Sequence, residues 1–149
     1  MAATLTSIRI HFIFSTKDRH PTIAESFENA LYAYIGGICR SHASVLIAAG
    51  GTIDHVHLLI SLGKTISASE LMLKVKRDSS IWVPSQVGGK AWDGWQEGYA
   101  AFSIGESGVP ALKQYIANQK QHHRTIDFKT EYKAFLKKYG IEFNEDHLW

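Results

Sequence analysis

The sequence predicts an α+β fold: a four-stranded antiparallel sheet in the ferredoxin-like order β-α-β-β-α-β with two helices on one face, followed by an added helix and a C-terminal helix. Three observations predict it. Between Ser7 and Ser15, Ile8, Ile10, Phe12 and Phe14 alternate with Arg9, His11 and Ile13, the period-two pattern of a strand. From Ala24 to Ser41, Phe27, Leu31, Tyr34, Ile35 and Ile38 recur at helical spacing, with Gly36-Gly37 interrupting the pattern. Two apolar runs, Ser44 to Ala49 and His55 to Leu62, flank Gly50-Gly51-Thr52-Ile53-Asp54 and read as a hairpin with a longer loop.

The remaining elements follow in order. Ser67-Ala68-Ser69-Glu70 has capping-box spacing and starts a second helix, with Leu71, Met72 and Val75 on its apolar side. A Gly-rich, Trp-bearing stretch from Pro84 to Gly94 reads as a loop leading to a fourth strand, Tyr99 to Ile104. Pro110 suits the first turn of a helix running to about Arg124, with Leu112 and Ile116 as core contacts. Phe128, Tyr132, Phe135, Leu136 and Tyr139 form the apolar side of a C-terminal helix that Gly140 stops.

The 149 residues are enough for one domain, 1–149, with an ordinary core. The single Cys39 excludes an internal disulfide, fits a reducing cytosol, and reads as a buried, inert thiol. No apolar run approaches the ~20 residues that span a bilayer, and the chain does not open on a basic segment followed by an apolar one, so the expectation is a soluble, cytoplasmic protein. A formal charge of only +2 permits nucleic-acid binding without arguing for it, so any basic surface must be local.

Two short segments carry candidate chemistry. On a strand, His55 and His57 point the same way with Cα atoms roughly 7 Å apart, a spacing that suits two ligands on one cation. On a helix, Tyr115 and Gln119 lie one above the other with Cβ atoms about 6 Å apart, presenting a hydroxyl beside an amide. With an oxygen from Gln119, the pair of imidazoles would make a two-nitrogen, one-oxygen set that leaves positions open, as a catalytic ion requires. Each feature also has a plainer reading. Two His on a wet strand face need no metal, a helical Tyr is usually core, and a helical Gln is usually solvated. Asp54 reads as a turn residue or as a group that orients an imidazole. His122 and His123 read as groups behind metal ligands, as phosphate contacts, or as a complement to a helix dipole. Lys74, Lys76, Arg77, Lys90, Trp82, Trp92 and Trp95 are candidates for a basic groove with stacking aromatics, or else solvated charges and core.

Four segments, in order and spanning nearly the full length, carry a family resemblance: Arg9 to Lys17 (RIHFIFSTK), Asp54 to Ile60 (DHVHLLI), Trp95 to Ser103 (WQEGYAAFS) and Tyr115 to His123 (YIANQKQHH). The chain resembles the HUH-superfamily single-tyrosine transposases, both the short insertion-sequence enzymes and the relatives associated with repetitive extragenic palindromes (REP). The resemblance implies a DNA transposase that cuts and rejoins single-stranded DNA at hairpin-bearing element ends. Tyr115 would be the nucleophile of a 5′-phosphotyrosine intermediate, and His55, His57 and Gln119 the ligands of one divalent metal, magnesium or manganese. It further implies a homodimer in which the tyrosine helix of one subunit completes the His site of the other, with Gly105-Glu106-Ser107-Gly108 as a hinge or an ordinary turn. Two other readings stand beside it: a non-catalytic ferredoxin-like module binding single-stranded nucleic acid through sheet aromatics, and a metal-dependent phosphoesterase with a water nucleophile.

Overall fold

The computed structural model describes residues 3–87 and 91–148. Four strands, β1 (Arg9–Ser15), β2 (Val45–Gly51), β3 (His55–Ser61) and β4 (Ala100–Ile104), form one antiparallel sheet in the order β2-β3-β1-β4. Helix α1 (Glu25–Ser41) joins β1 to β2, and α2 (Ala68–Val87) joins β3 to β4. This is the α+β arrangement that the alternation and helical spacing predict. Beyond β4 come α3 (Val109–Ala117), the single turn α4 (Gln119–His122) and α5 (Phe128–Lys138).

Alternation along the central strands β1 and β3 divides the sheet into two faces, and these strands are buried on both. Phe12, Phe14, Val56, Leu58 and Ile60 pack against Leu31, Ile35 and Cys39 of α1 and Leu71, Met72 and Val75 of α2. On the opposite face, Leu59 packs against Leu112 and Ile116 of α3, and Ile13 and Phe102 pack against Phe128 and Leu136 of α5. His55 and His57 lie on this second face, so the C-terminal helices roof over them. Both rings are fully buried.

Three boundaries differ from the sequence expectation, each for a physical reason. Gly50 and Gly51 belong to β2, paired with His57 and Val56, rather than to the hairpin loop, which shortens to Thr52-Ile53-Asp54. A Cβ on Gly50 would collide with the carbonyl oxygen of Ile116, so only glycine lets α3 lie this close to the sheet. Pro84 starts no loop, because α2 continues through it to Val87. A proline leaves the carbonyl four residues earlier without its backbone donor. Here that carbonyl, Ser80, accepts the indole N–H of Trp92 at 3.2 Å. Finally, the helix expected from Pro110 to Arg124 is interrupted at Asn118 (φ −96°, ψ 15°) and resumes for one turn as α4.

The start of α2 and the end of α5 match their sequence signals. Ser67 Oγ accepts the backbone N–H of Glu70 at 3.1 Å, one half of the expected capping box. Asp127 caps α5 by accepting the Thr130 N–H, and Gly140, at φ 67°, lets the Ile141 N–H reach the Leu136 carbonyl as the chain leaves it. No helix among the described residues is long and apolar enough to cross a membrane.

Candidate active site

β3 supplies both histidines. His55 and His57 sit two residues apart on the strand, and their neighbours fix each ring. Asp54 Oδ1 accepts the Nδ1–H of His55 at 2.8 Å, with Thr52 Oγ1 at 3.0 Å from the same nitrogen. The tight three-residue turn therefore aims His55 Nε2 inward. His57 pairs through Nδ1 with His11 Nε2 of β1 at 2.8 Å and through Nε2 with Glu131 Oε1 of α5 at 2.9 Å.

α3 and α4 bring the second pair. Despite the break at Asn118, Tyr115 and Gln119 both face the histidines: the Tyr115 ring lies 5.8 Å from that of His57, and Gln119 Oε1 lies 3.1 Å from His55 Nε2. Within one chain the fold thus brings together all four residues singled out from sequence.

At the centre sits a residue the sequence reading did not select. Glu131 is 3% exposed and accepts from four sides: the Tyr115 hydroxyl, Gln119 Nε2 at 3.0 Å, His57 Nε2 at 2.9 Å and His123 Nε2 at 3.0 Å. Its signal was a carboxylate inside the apolar stripe of α5, between Phe128 and Phe135 at helical spacing. A charge there is seldom buried unless paired. His11 gave no such signal, since it falls with Arg9 on the side of the β1 alternation opposite Ile10, Phe12 and Phe14, where a histidine reads as solvent-facing.

Electrostatics follows from this burial. Burial, reinforced by the charge of neighbouring His57, pulls His11 down to about 3. Burial also lowers His57, to about 4, against the pull of Glu131. Both rings are therefore neutral at neutral pH, the form in which imidazole binds metal. Burial disfavours the charge on Glu131, but hydrogen bonds from His123 and His57 outweigh it and hold the carboxylate well below its usual range. Tyr115 moves the other way. Burial, and then the hydrogen bond to Glu131 and its charge, raise the phenol above its ordinary value.

The donor set fits a divalent cation. His55 gives its Nδ1–H to Asp54 and turns Nε2 toward Gln119 Oε1, an oxygen that carries lone pairs. Either a proton or a cation can lie between these two atoms, 3.1 Å apart. His55, His57, His123 and Glu131 each offer a ligand atom within 4.8 Å of the others. A cavity of about 540 Å³ reaches Tyr115 and Glu131 between α3 and α5, walled by Leu112, Phe135 and Tyr139. A second, of about 480 Å³, reaches His123 from the other side, bordered by Lys120 and Arg124.

Of the aromatic and basic candidates of α2 and its following segment, the three tryptophans and Lys76 are engaged by contacts within the chain. Trp82 stacks on Tyr34 with ring centroids 4.6 Å apart, and the Trp92 and Trp95 indoles donate to Ser80 and Ser79. Lys76 donates to the carbonyls of Gln96 and Gly98, Arg77 pairs with Asp78, and Lys90 lies outside the described residues.

The family model described as "Transposase IS200 like" matches residues 4–119. Transposases for insertion sequence element IS200 from Salmonella typhimurium and Salmonella typhi are each 22% identical over 129 residues, 83% of this chain and 84% of the relative. Among solved structures, a candidate transposase from Deinococcus radiodurans superposes with a TM-score of 0.61 at 22% identity, covering 80% of this chain and 95% of that one. A REP-associated tyrosine transposase bound to a REP hairpin superposes with a TM-score of 0.61 at 15% identity, covering 85% and 74%.

Proposed function

Because the chain belongs to the IS200-like transposase family, we propose that it cuts and rejoins single-stranded DNA at hairpin-bearing element ends by metal-assisted transesterification. Tyr115 is the nucleophile, and His55, His57 and Gln119 hold one divalent cation, magnesium or manganese. The observation that carries the reading is the convergence of the Tyr115 hydroxyl, the Gln119 amide and the His57 ring on one carboxylate, Glu131. A nucleophile and candidate ligands surround a point where an anionic oxygen already fits.

The bound cation would supply polarisation of the scissile phosphate and offset its charge. The protein supplies the rest. Tyr115 Oη forms a bond to phosphorus, the bond from phosphorus to the 3′ oxygen breaks, and that oxygen takes up a proton in place of the one the phenol lost. The products are a 5′-phosphotyrosyl linkage and a free 3′-hydroxyl. Attack by another 3′-hydroxyl on that linkage regenerates Tyr115 and joins the strands, so no ATP is needed. Glu131 beside the phenol disfavours its ionisation, whereas a cation at the His pair favours it.

A homodimer is the assembly we propose for this reaction. β2 forms an edge of the sheet with Val45 exposed, and the short 3-10 turn Glu106–Gly108 before α3 provides a point about which the tyrosine helix can swing. The REP-bound neighbour supports a hairpin as the DNA feature recognised. A non-catalytic module reading bases on an open sheet has less support. His11 and Phe102, on the face it would use, are 1% and 2% exposed.

The test is incubation with hairpin-bearing single-stranded DNA and magnesium or manganese, followed by denaturing electrophoresis. A protein–DNA adduct is expected from the wild type and none from Tyr115→Phe. An equal adduct from that variant would refute the nucleophile, and cleavage with no adduct would indicate attack by water.

A further inference from the structure

We propose that Glu131, delivered by α5, is a further metal ligand of this chain, joining His55, His57 and Gln119 around one transition-metal ion such as Mn²⁺. The inference rests on the reading that His55 and His57 hold the ion, and extends it to a residue beyond the segment the family model matches, which ends at 119.

Distances carry the argument. Ligand atoms about 2.1 Å from one ion, in tetrahedral or octahedral array, stand about 3.0–3.4 Å from each other. Glu131 Oε1 lies 2.9 Å from His57 Nε2 and 3.5 Å from His55 Nε2, and Gln119 Oε1 lies 3.1 Å from His55 Nε2. These distances lie within about 0.1 Å of that range or inside it. All four residues are nearly or fully buried, so the groups are fixed before any ion arrives.

The hydrogen bonds have the right form for replacement. A proton bridges His57 Nε2 and Glu131 Oε1, and an ion can take its place. His123 Nε2, 3.0 Å from the same oxygen, can keep donating to it from outside and hold the carboxylate's orientation. Two imidazoles, one carboxylate and one amide oxygen form a mixed nitrogen and oxygen set of the kind that suits manganese. They also carry more nitrogen than an oxygen-seeking magnesium ion prefers. In an octahedral ion two positions stay open for phosphate oxygens.

The experiment is titration of the full chain with Mn²⁺ alone, followed by calorimetry and by the electron paramagnetic resonance of free Mn²⁺. Glu131→Gln, which keeps the shape and part of the hydrogen bonding, should weaken Mn²⁺ at least about tenfold, since even groups behind metal ligands are worth about 10–100-fold. Mg²⁺ should bind the wild type more weakly than Mn²⁺ does. Glu131→Asp, which retains the charge, should recover part of the loss and guards against misfolding of the first variant. Wild-type affinity in Glu131→Gln, or tighter binding, would overturn the ligand role and make the carboxylate an occupant the ion displaces. The double variant His55→Ala with His57→Ala separates the two levels. If it too binds Mn²⁺ normally, the underlying site fails, and not Glu131 alone.

Discussion

Asp54 accepts the Nδ1–H of His55 and thereby decides which nitrogen faces the site. Asp54→Asn can keep a contact but not the charge, and groups in this position are worth about 10–100-fold in metal affinity. The expected outcome is a loss of that size in Mn²⁺ binding with an unchanged circular dichroism spectrum; an unchanged affinity would reduce Asp54 to a turn residue. Cys39 is the opposite kind of residue. It is buried in the main core, and burial pushes its thiol up to about 11. Raising the pKa of an acid shrinks its anionic fraction below that value, so at pH 8 well under about 1% is thiolate. Alkylation by iodoacetamide should be slow in the native chain and fast in guanidinium, and equal rates would contradict the packing. Both roles were partly legible in sequence. The lone cysteine read as inert, and Asp54 was open between turn and orienting group because nothing local reveals where the imidazole beside it points. Glu131 was harder, since its four partners come from β3, α3, α4 and the segment just before α5, and only tertiary structure brings them together.

At the scale of elements, the approach of α3 to β2 positions Tyr115. It depends on Gly50, where any Cβ meets the Ile116 carbonyl. Gly50→Ala should cost about 1–3 kcal/mol, the usual range for overpacking, and should reduce adduct formation more than the stability loss explains, because the helix carrying Tyr115, the proposed nucleophile, must move outward. Urea unfolding and adduct yield, measured on the same preparation, separate the two effects. Sequence reading placed Gly50 and Gly51 in a loop because glycine pairs usually break strands. It could not anticipate a helix lying across this one. Pro84 misled in the same way: its helix survives because Trp92 takes the Ser80 carbonyl that the proline leaves free. Trp92→Phe removes that donor and should cost about 1 kcal/mol. A variant as stable as the wild type would show that water serves that carbonyl equally well.

At the scale of the molecule, periodicity predicted a sheet with two helices on one face, and did not predict that the other face would be closed by α3, α4 and α5. That roof decides the chemistry, because it turns two histidines on a strand into a buried site and sets a tyrosine and a glutamate against them. It also bears on how two copies would share work. Each chain already places Tyr115 beside its own His57, with ring centroids 5.8 Å apart, so the proposed dimer needs no exchange of helices to pair them. Exchange would require α3 to leave Leu59 and Ile47, where Leu112 and Ile116 are now buried, and to find the same surface on the partner. A mixture of Tyr115→Phe and His57→Ala proteins distinguishes the two arrangements. Each variant alone lacks one half of the site, and a mixed dimer holds one intact pair only if the tyrosine of one chain serves the histidines of the other. With sites built within single chains, the mixture should form no more adduct than either variant alone. Recovery toward about a quarter of the wild-type yield, since half of randomly mixed dimers would each hold one intact site of two, would instead show that the roof is exchanged between subunits, and that the buried face of α3 seen in one chain is also the surface that joins two.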